Sequence, residues 1–202
     1  YLLTIVILFI IGRRNKWREM RLKIPLLGVT TSLMLFGMSL PLGFIPFHVN
    51  LATFAGILLG PGLGFIASFI SVFFLSLIGH GGITMVGINS LTVGIEAVAA
   101  GFLSVRLARY FRKHFRFSVA LTTVISLVLS IGFIVAVIVL STVYNVGEAF
   151  QLQTGLELTS VGLRNFLIII FVIALVGISI ETLITIWVIN FIKSVRPDIL
   201  ER

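Results

Sequence analysis

The sequence predicts an all-α protein, a polytopic membrane helix bundle of about seven transmembrane helices, the first one truncated, in a single transmembrane domain over residues 1–202. Three observations carry this expectation. Of the 202 residues, 58% are hydrophobic and 11% charged, with a mean hydropathy of +1.19. Soluble domains run at about 45–50% apolar and about 25% charged, so this composition argues against a disordered chain and an ordinary cytosolic enzyme. With no cysteine, a disulfide scaffold is also excluded. The second observation is a series of long apolar blocks, and the third is where the basic residues fall between them.

A spanning helix needs roughly 20 mostly apolar residues, because in lipid every backbone polar group must be satisfied internally. Six blocks qualify by composition: 1–12, 24–47, 49–78, 83–105, 118–143 and 164–192. The first is too short to span and begins on Tyr1, which reads as the end of a truncated helix. The third is too long for one helix and contains Gly60, Pro61, Gly62 and Gly64, a turn signal.

Charge resolves that ambiguity. The 15 Lys/Arg outnumber the 7 Asp/Glu, giving a net charge of +8. In a soluble protein this excess suggests nucleic-acid binding. Here it gathers in three clusters: Arg13, Arg14, Lys16, Arg18, Arg21 and Lys23; then Arg106, Arg109, Arg112, Lys113 and Arg116; then Lys193, Arg196 and Arg202. The loops 41–48, 79–82 and 144–163 contain neither Lys nor Arg, and Arg164 alone stands at the opposite end. Only a break at Gly60–Gly64 puts all three clusters on one face, as the cytoplasmic bias of basic residues requires. The helices are therefore expected at about 1–12, 24–40, 48–59, 62–78, 83–105, 118–143 and 164–192. The protein is placed in the cell membrane with the N-terminus external and the C-terminus cytoplasmic, its partner being the lipid bilayer and not nucleic acid. The helix 48–59, about 18 Å long at 1.5 Å per residue, is too short to span, and Pro41–His48 before it reads as irregular backbone of functional use.

Several polar residues need a reason to be there. His48, at the external start of the short helix, is of the residue type that most often ligates transition metals. It reads equally as an interfacial histidine wetted by headgroups. Asn50 is placed to cap that helix or to support a ligand. His80 lies among Gly79, Gly81 and Gly82, a tight turn that also leaves it free to face an ion. Asn89 and Glu96, seven residues apart, share one helix face. Glu96 and Glu181 are intramembrane carboxyls, for which pairing, neutrality and an ion path are all open. Small residues at Gly56, Gly60, Gly62, Gly64, Ala67 and Ser68, and again at Ala97, Ala99, Ala100 and Gly101, permit close helix approach. No nucleophile triad, Walker loop, GxGxxG, HExxH or CxxC motif occurs, so an enzyme is not expected and no catalytic residue or resident cofactor is assigned.

The stretch HVNLATFAGILLGP (48–61) resembles the segment ending in ILLGP of the CbiM/NikM family, the membrane substrate-capture components of cobalt and nickel energy-coupling-factor transporters. GHGGITMVGIN (79–89) is similar to that family's GDGGLTALGAN, and ETLIT (181–185) with VRPDIL (195–200) resembles its C-terminal run. The likeness covers most of 24–105 and 174–200. It implies the fold of a substrate-capture component and a single divalent ion, Co²⁺ or Ni²⁺, as transported ligand. It makes His48 a metal ligand, with Asn89 in the same pocket and His80 standing where the family has an aspartate. The family's second asparagine is Thr92 here, and a histidine usual in the family falls near Ala174. By the same likeness the partners are a transmembrane coupling subunit, cytoplasmic ATPase subunits and a small accessory membrane subunit. The alternatives are a substrate-binding protein of the same transporter type for an organic ligand such as a vitamin, a lipid-modifying enzyme and a structural membrane subunit.

Overall fold

The computed structural model describes residues 1–14, 17–40, 48–143 and 160–200. The irregular segment expected at Pro41–Phe47 and most of the loop 144–163 lie outside the described residues. Within them run seven α-helices and no strand: α1 (Leu2–Arg14), α2 (Trp17–Ser39), α3 (Ala52–Leu59), α4 (Pro61–Leu77), α5 (Val86–Tyr110), α6 (Phe115–Val143) and α7 (Ser160–Val195). Short 3₁₀ turns occupy Ile83–Met85 and Pro197–Ile199.

The long apolar block does break where charge requires. Gly60 stands at φ 88°, a conformation glycine adopts without steric cost. Pro61 takes the first position of α4, where a missing N–H costs nothing. The N–H of Gly60 closes α3 on the carbonyl of Gly56 at 2.9 Å, and the Gly60 carbonyl accepts from Gly64 at 2.9 Å to open α4.

Other boundaries move. Helix α2 begins at Trp17 rather than at 24, because the Lys, Arg, Glu and Met of the basic segment are good helix formers. Helix α3 starts at Ala52 rather than 48, since Leu51 turns the chain with φ 56°. Helix α5 runs on to Tyr110 and α6 begins at Phe115, so the basic cluster 106–116 straddles a tight turn.

The expected all-α membrane bundle of seven helices, the first one short, is what the structure has. Among the described residues three helical segments are long and apolar enough to cross a membrane: Ile83–Tyr110, Phe115–Ser141 and Ile168–Val195. Leu2–Arg13, Lys23–Ser39 and Pro61–Leu77 are apolar but shorter. Helix α3, with eight residues, is about 12 Å long and does not span.

Helix α3 instead sits inside the bundle. All eight of its residues are buried, and α2, α4, α5, α6 and α7 all touch it. Lipid tails are as apolar as leucine, so close van der Waals packing has to hold such helices together. The small residues supply it. A side chain at Gly56 would run into the Ala97 carbonyl and the Ala100 methyl, and one at Gly101 into Pro61. Helix α5 is thus pressed against α3 and α4, while α6 covers its other side. The outward faces carry Phe36, Phe74, Phe102, Phe171 and Trp187, a surface suited to acyl chains.

Replacing Gly56 by Ala is expected to destabilise the bundle by about 1–3 kcal/mol, the usual cost of overpacking. Gly132→Ala, where nothing lies within 4 Å of the added carbon, should leave stability unchanged or slightly improved. Thermal unfolding in detergent, followed by near-UV circular dichroism, measures both.

Candidate functional site

The site is built around a carboxyl. Glu96 projects from the middle of α5 and is fully buried. Its Oε1 accepts from the backbone N–H of Thr53 at 3.0 Å and from the Thr53 hydroxyl at 2.8 Å. Its Oε2 accepts from the Asn50 side-chain amide at 2.9 Å. Asn50 in turn accepts from the N–H of Ala52 through Oδ1 at 2.7 Å, which satisfies one of the orphan donors at the start of α3. Asn50 is therefore the cap its spacing suggested, and Glu96 fixes the cap.

Glu181 of α7 brings its buried carboxyl beside that of Glu96 and beside the backbone N–H groups of Asn50 and Leu51. Its Oε1 makes no hydrogen bond among the described residues. The two intramembrane carboxyls are partnered with each other and with the start of α3, not with a basic side chain.

Above this clamp lies a cavity of about 320 Å³. Met38 of α2, Val72 and Leu75 of α4, Val93 of α5 and Ile134 of α6 form its apolar wall. Its polar groups are His48, Asn50, His80, Asn89 and Thr92. Two imidazoles meet here. His48 Nε2 and His80 Nε2 stand 3.4 Å apart, with the rings 5.1 Å between centroids and nearly perpendicular. Two nitrogens bound to one metal at about 2.0–2.1 Å lie roughly 3.3 Å apart at a tetrahedral angle, so the separation suits a shared ion.

His48 is half-buried, while His80 sits in the Gly79–Gly82 turn, where all three glycines have φ between 68° and 87°. That turn lets His80 reach across to a residue 32 positions earlier. Gly81 also leaves room for Asn89, whose Nδ2 would lie 3.0 Å from a carbon added there. The Asn89 amide makes no protein hydrogen bond among the described residues. Thr92 lines the cavity too, but its hydroxyl donates to the Ile88 carbonyl at 3.0 Å.

All three candidate ligands read from the sequence, His48, His80 and Asn89, line one cavity. His80 both occupies a glycine turn and faces His48, so the two readings of it are not exclusive. Thr53 and Met38 were not anticipated. Thr53 follows Asn50 by one helical turn, which in retrospect places both beneath one acceptor. Met38 carries no signal beyond its apolarity. Among the described residues no third His, Cys, Asp or Glu joins the pair of histidines, and the other heteroatom side chains of the lining are those of Met38, Asn50, Asn89 and Thr92.

The family model for the cobalt uptake substrate-specific transmembrane region, CbiM, matches residues 1–199. The chain belongs to the CbiM family. The match extends the motif likeness of 24–105 and 174–200 across the intervening helix α6. Neither a curated protein nor a solved structure matches the chain. As a CbiM-family protein it is a membrane component of cobalt uptake, a transport component.

In this CbiM-family chain, burial holds the His48 imidazole below its ordinary value, and the neighbouring His80 pushes it the same way. A depressed histidine disfavours protonation of the folded state, so its contribution to stability is present above about pH 6.5 and is lost as pH falls through the lower, folded value. An NMR titration of the imidazole resonances should place the His48 midpoint below about 6.5. His80→Gln, by removing one of the two causes, should raise that midpoint.

Proposed function

We propose that this protein captures a divalent cobalt or nickel ion from outside the cell, as the substrate-binding component of an energy-coupling-factor transporter. His48 and His80 are the two nitrogen ligands, and the Asn89 amide oxygen is a third. The observation that carries this reading is the 3.4 Å approach of the two Nε2 atoms at the mouth of the cavity. Both nitrogens are lone-pair donors in neutral imidazole, and imidazole suits cobalt and nickel alike. The order of intrinsic affinities does not separate the two metals, and the family's association with cobalt uptake favours cobalt.

Among the described residues no Phe, Tyr or Trp lines the cavity. An organic ligand such as a vitamin is usually held by aromatic and hydrophobic walls, so the lining favours an ion. With no nucleotide-binding motif in the chain, the energy for transport comes from cytoplasmic ATPase subunits acting through a transmembrane coupling subunit, with a small accessory membrane subunit alongside. The basic clusters, Arg106–Arg116 and Lys193–Arg196 above all, support a cytoplasmic C-terminus with the N-terminus and the histidine pair outside.

Elemental analysis of the purified protein is expected to find close to stoichiometric Co²⁺ after exposure to the metal. His48→Ala and His80→Ala should each weaken Co²⁺ binding by at least about tenfold, the scale on which a lost metal-site partner is felt, and should lower cellular uptake in step. Retained binding in the His48→Ala, His80→Ala double variant would remove the basis for this reading. Co-purification with an ATPase pair tests the transporter type separately.

A further inference from the structure

The opposite end of the bundle holds a cavity that the metal site does not use. It has a volume of about 250 Å³ and lies where α5 and α6 meet the C-terminal 3₁₀ turn. Its walls are apolar, from Ile57, Val105, Phe115, Val119 and Leu200, and its polar lining includes Arg109, Arg112 and Ser118. Among the described residues no carboxylate lines it. Arg109, in the last turn of α5, and Arg112, in the turn that follows it, pair with no acidic side chain among the described residues. The nearby Asp198 is already engaged by Arg196 through two hydrogen bonds of 2.8 and 2.9 Å. The Ser118 side chain is buried, and its hydroxyl makes no hydrogen bond among the described residues. The charged groups of this cavity among the described residues are thus two guanidinium groups, joined by the hydroxyls of Ser104, Ser118 and Thr122.

A second cavity flanks it across Phe115 and has the same character, with Lys113, Arg116 and Lys193 in its lining and no acid. The Lys193 ammonium lies 3.7 Å from the centroid of the Phe115 ring, which leaves its charge uncompensated by any carboxylate. Depth in the membrane is set by the helices. The spans Ile83–Tyr110 and Phe115–Ser141 end at this turn, so the arginines stand at headgroup level and the apolar wall below them faces the acyl region. Planar guanidinium groups match phosphate oxygens in pairs. A basic pocket between transmembrane helices on the cytoplasmic side is a recurrent way of holding acidic lipid headgroups.

We propose that the Arg109–Arg112 cavity is a binding site for an acidic glycerophospholipid. The phosphate is held by the two guanidinium groups and the Ser118 hydroxyl, and an acyl chain lies along Val105, Phe115 and Val119.

The test uses the whole chain in nanodiscs of phosphatidylcholine containing a minor fraction of phosphatidylglycerol, with the lipid retained through detergent extraction counted by mass spectrometry. Arg109→Gln with Arg112→Gln should weaken phosphatidylglycerol retention by roughly thirtyfold, the factor expected for two basic charges at an anionic surface. Arg13→Gln with Arg106→Gln removes the same charge outside either cavity and should leave retention close to that of the unaltered protein. Excess inorganic phosphate should not displace the lipid. Equal loss in the two double variants would overturn the proposal in favour of a diffuse charge effect. Displacement by phosphate would overturn it in favour of a free-anion site. Unchanged lipid with loss of a co-purifying membrane subunit would reassign the cavity to an acidic protein segment. Because both arginines are exposed, unfolding of the Gln pair is not expected. Arg109→Lys with Arg112→Lys, which keeps charge but loses the fork, is expected to give intermediate retention in a folded protein.

Discussion

The architecture depends on one buried acid. Glu96 is placed in the middle of a membrane-crossing helix, where an ionisable group is costly and persists only with partners. Its partners are three donors from the short stretch Asn50–Thr53. That choice ties the start of an eight-residue helix to the centre of α5, the most buried of the three long spans among the described residues. Once Asn50 is fixed, its own side chain begins α3, and His48 two residues earlier can stand only at the rim of the cavity. Helix α3 is in turn the wedge that five other helices touch. A single carboxyl thus connects the packing of the bundle to the position of a candidate ligand.

What was legible in the sequence follows from how local each cause is. The break at Gly60 and Pro61 was legible because two adjacent residues create it and because basic residues record on which face each helix ends. The late start of α3 was not, because it depends on Leu51 adopting a left-handed turn that nothing in its own chemistry favours. Helix α2 was entered too late for the opposite reason. A search for apolar spans discounts the charged residues from Trp17 onward, although their backbone is helical. The lengths of α5 and α6 were underestimated at the same end, where polar side chains at headgroup level mask helix continuity.

The site divides similarly. His48, Asn50, His80 and Asn89 could be singled out by residue type and position, and the family likeness placed Asn89 in one pocket with His48. Their convergence was not legible. His48 and His80 are 32 positions apart, and Glu96 and Glu181, partnered with each other, are 85 positions apart on different helices. Contacts of this range are products of the tertiary packing, and the sequence records them only as isolated polar residues in apolar surroundings. Thr53 was silent because a threonine inside an apolar helix usually bonds its own backbone. The hydroxyl finds Glu96 only because Gly56, a turn further on, lets the helices come so close.

The two imidazoles are mounted differently. One follows from a carboxyl clamp and a capped helix, the other rides on four residues of which three are glycines with positive φ. The result is a pincer with one fixed jaw and one sprung jaw. A rigid pair would hold a single nitrogen–metal–nitrogen angle and reject ions that prefer another. A sprung jaw lets the angle follow the ion, from the tetrahedral value towards a right angle. In the metal site proposed above, such a mounting would favour breadth of capture over discrimination, and sorting one transition metal from the next would fall to whatever completes the coordination shell.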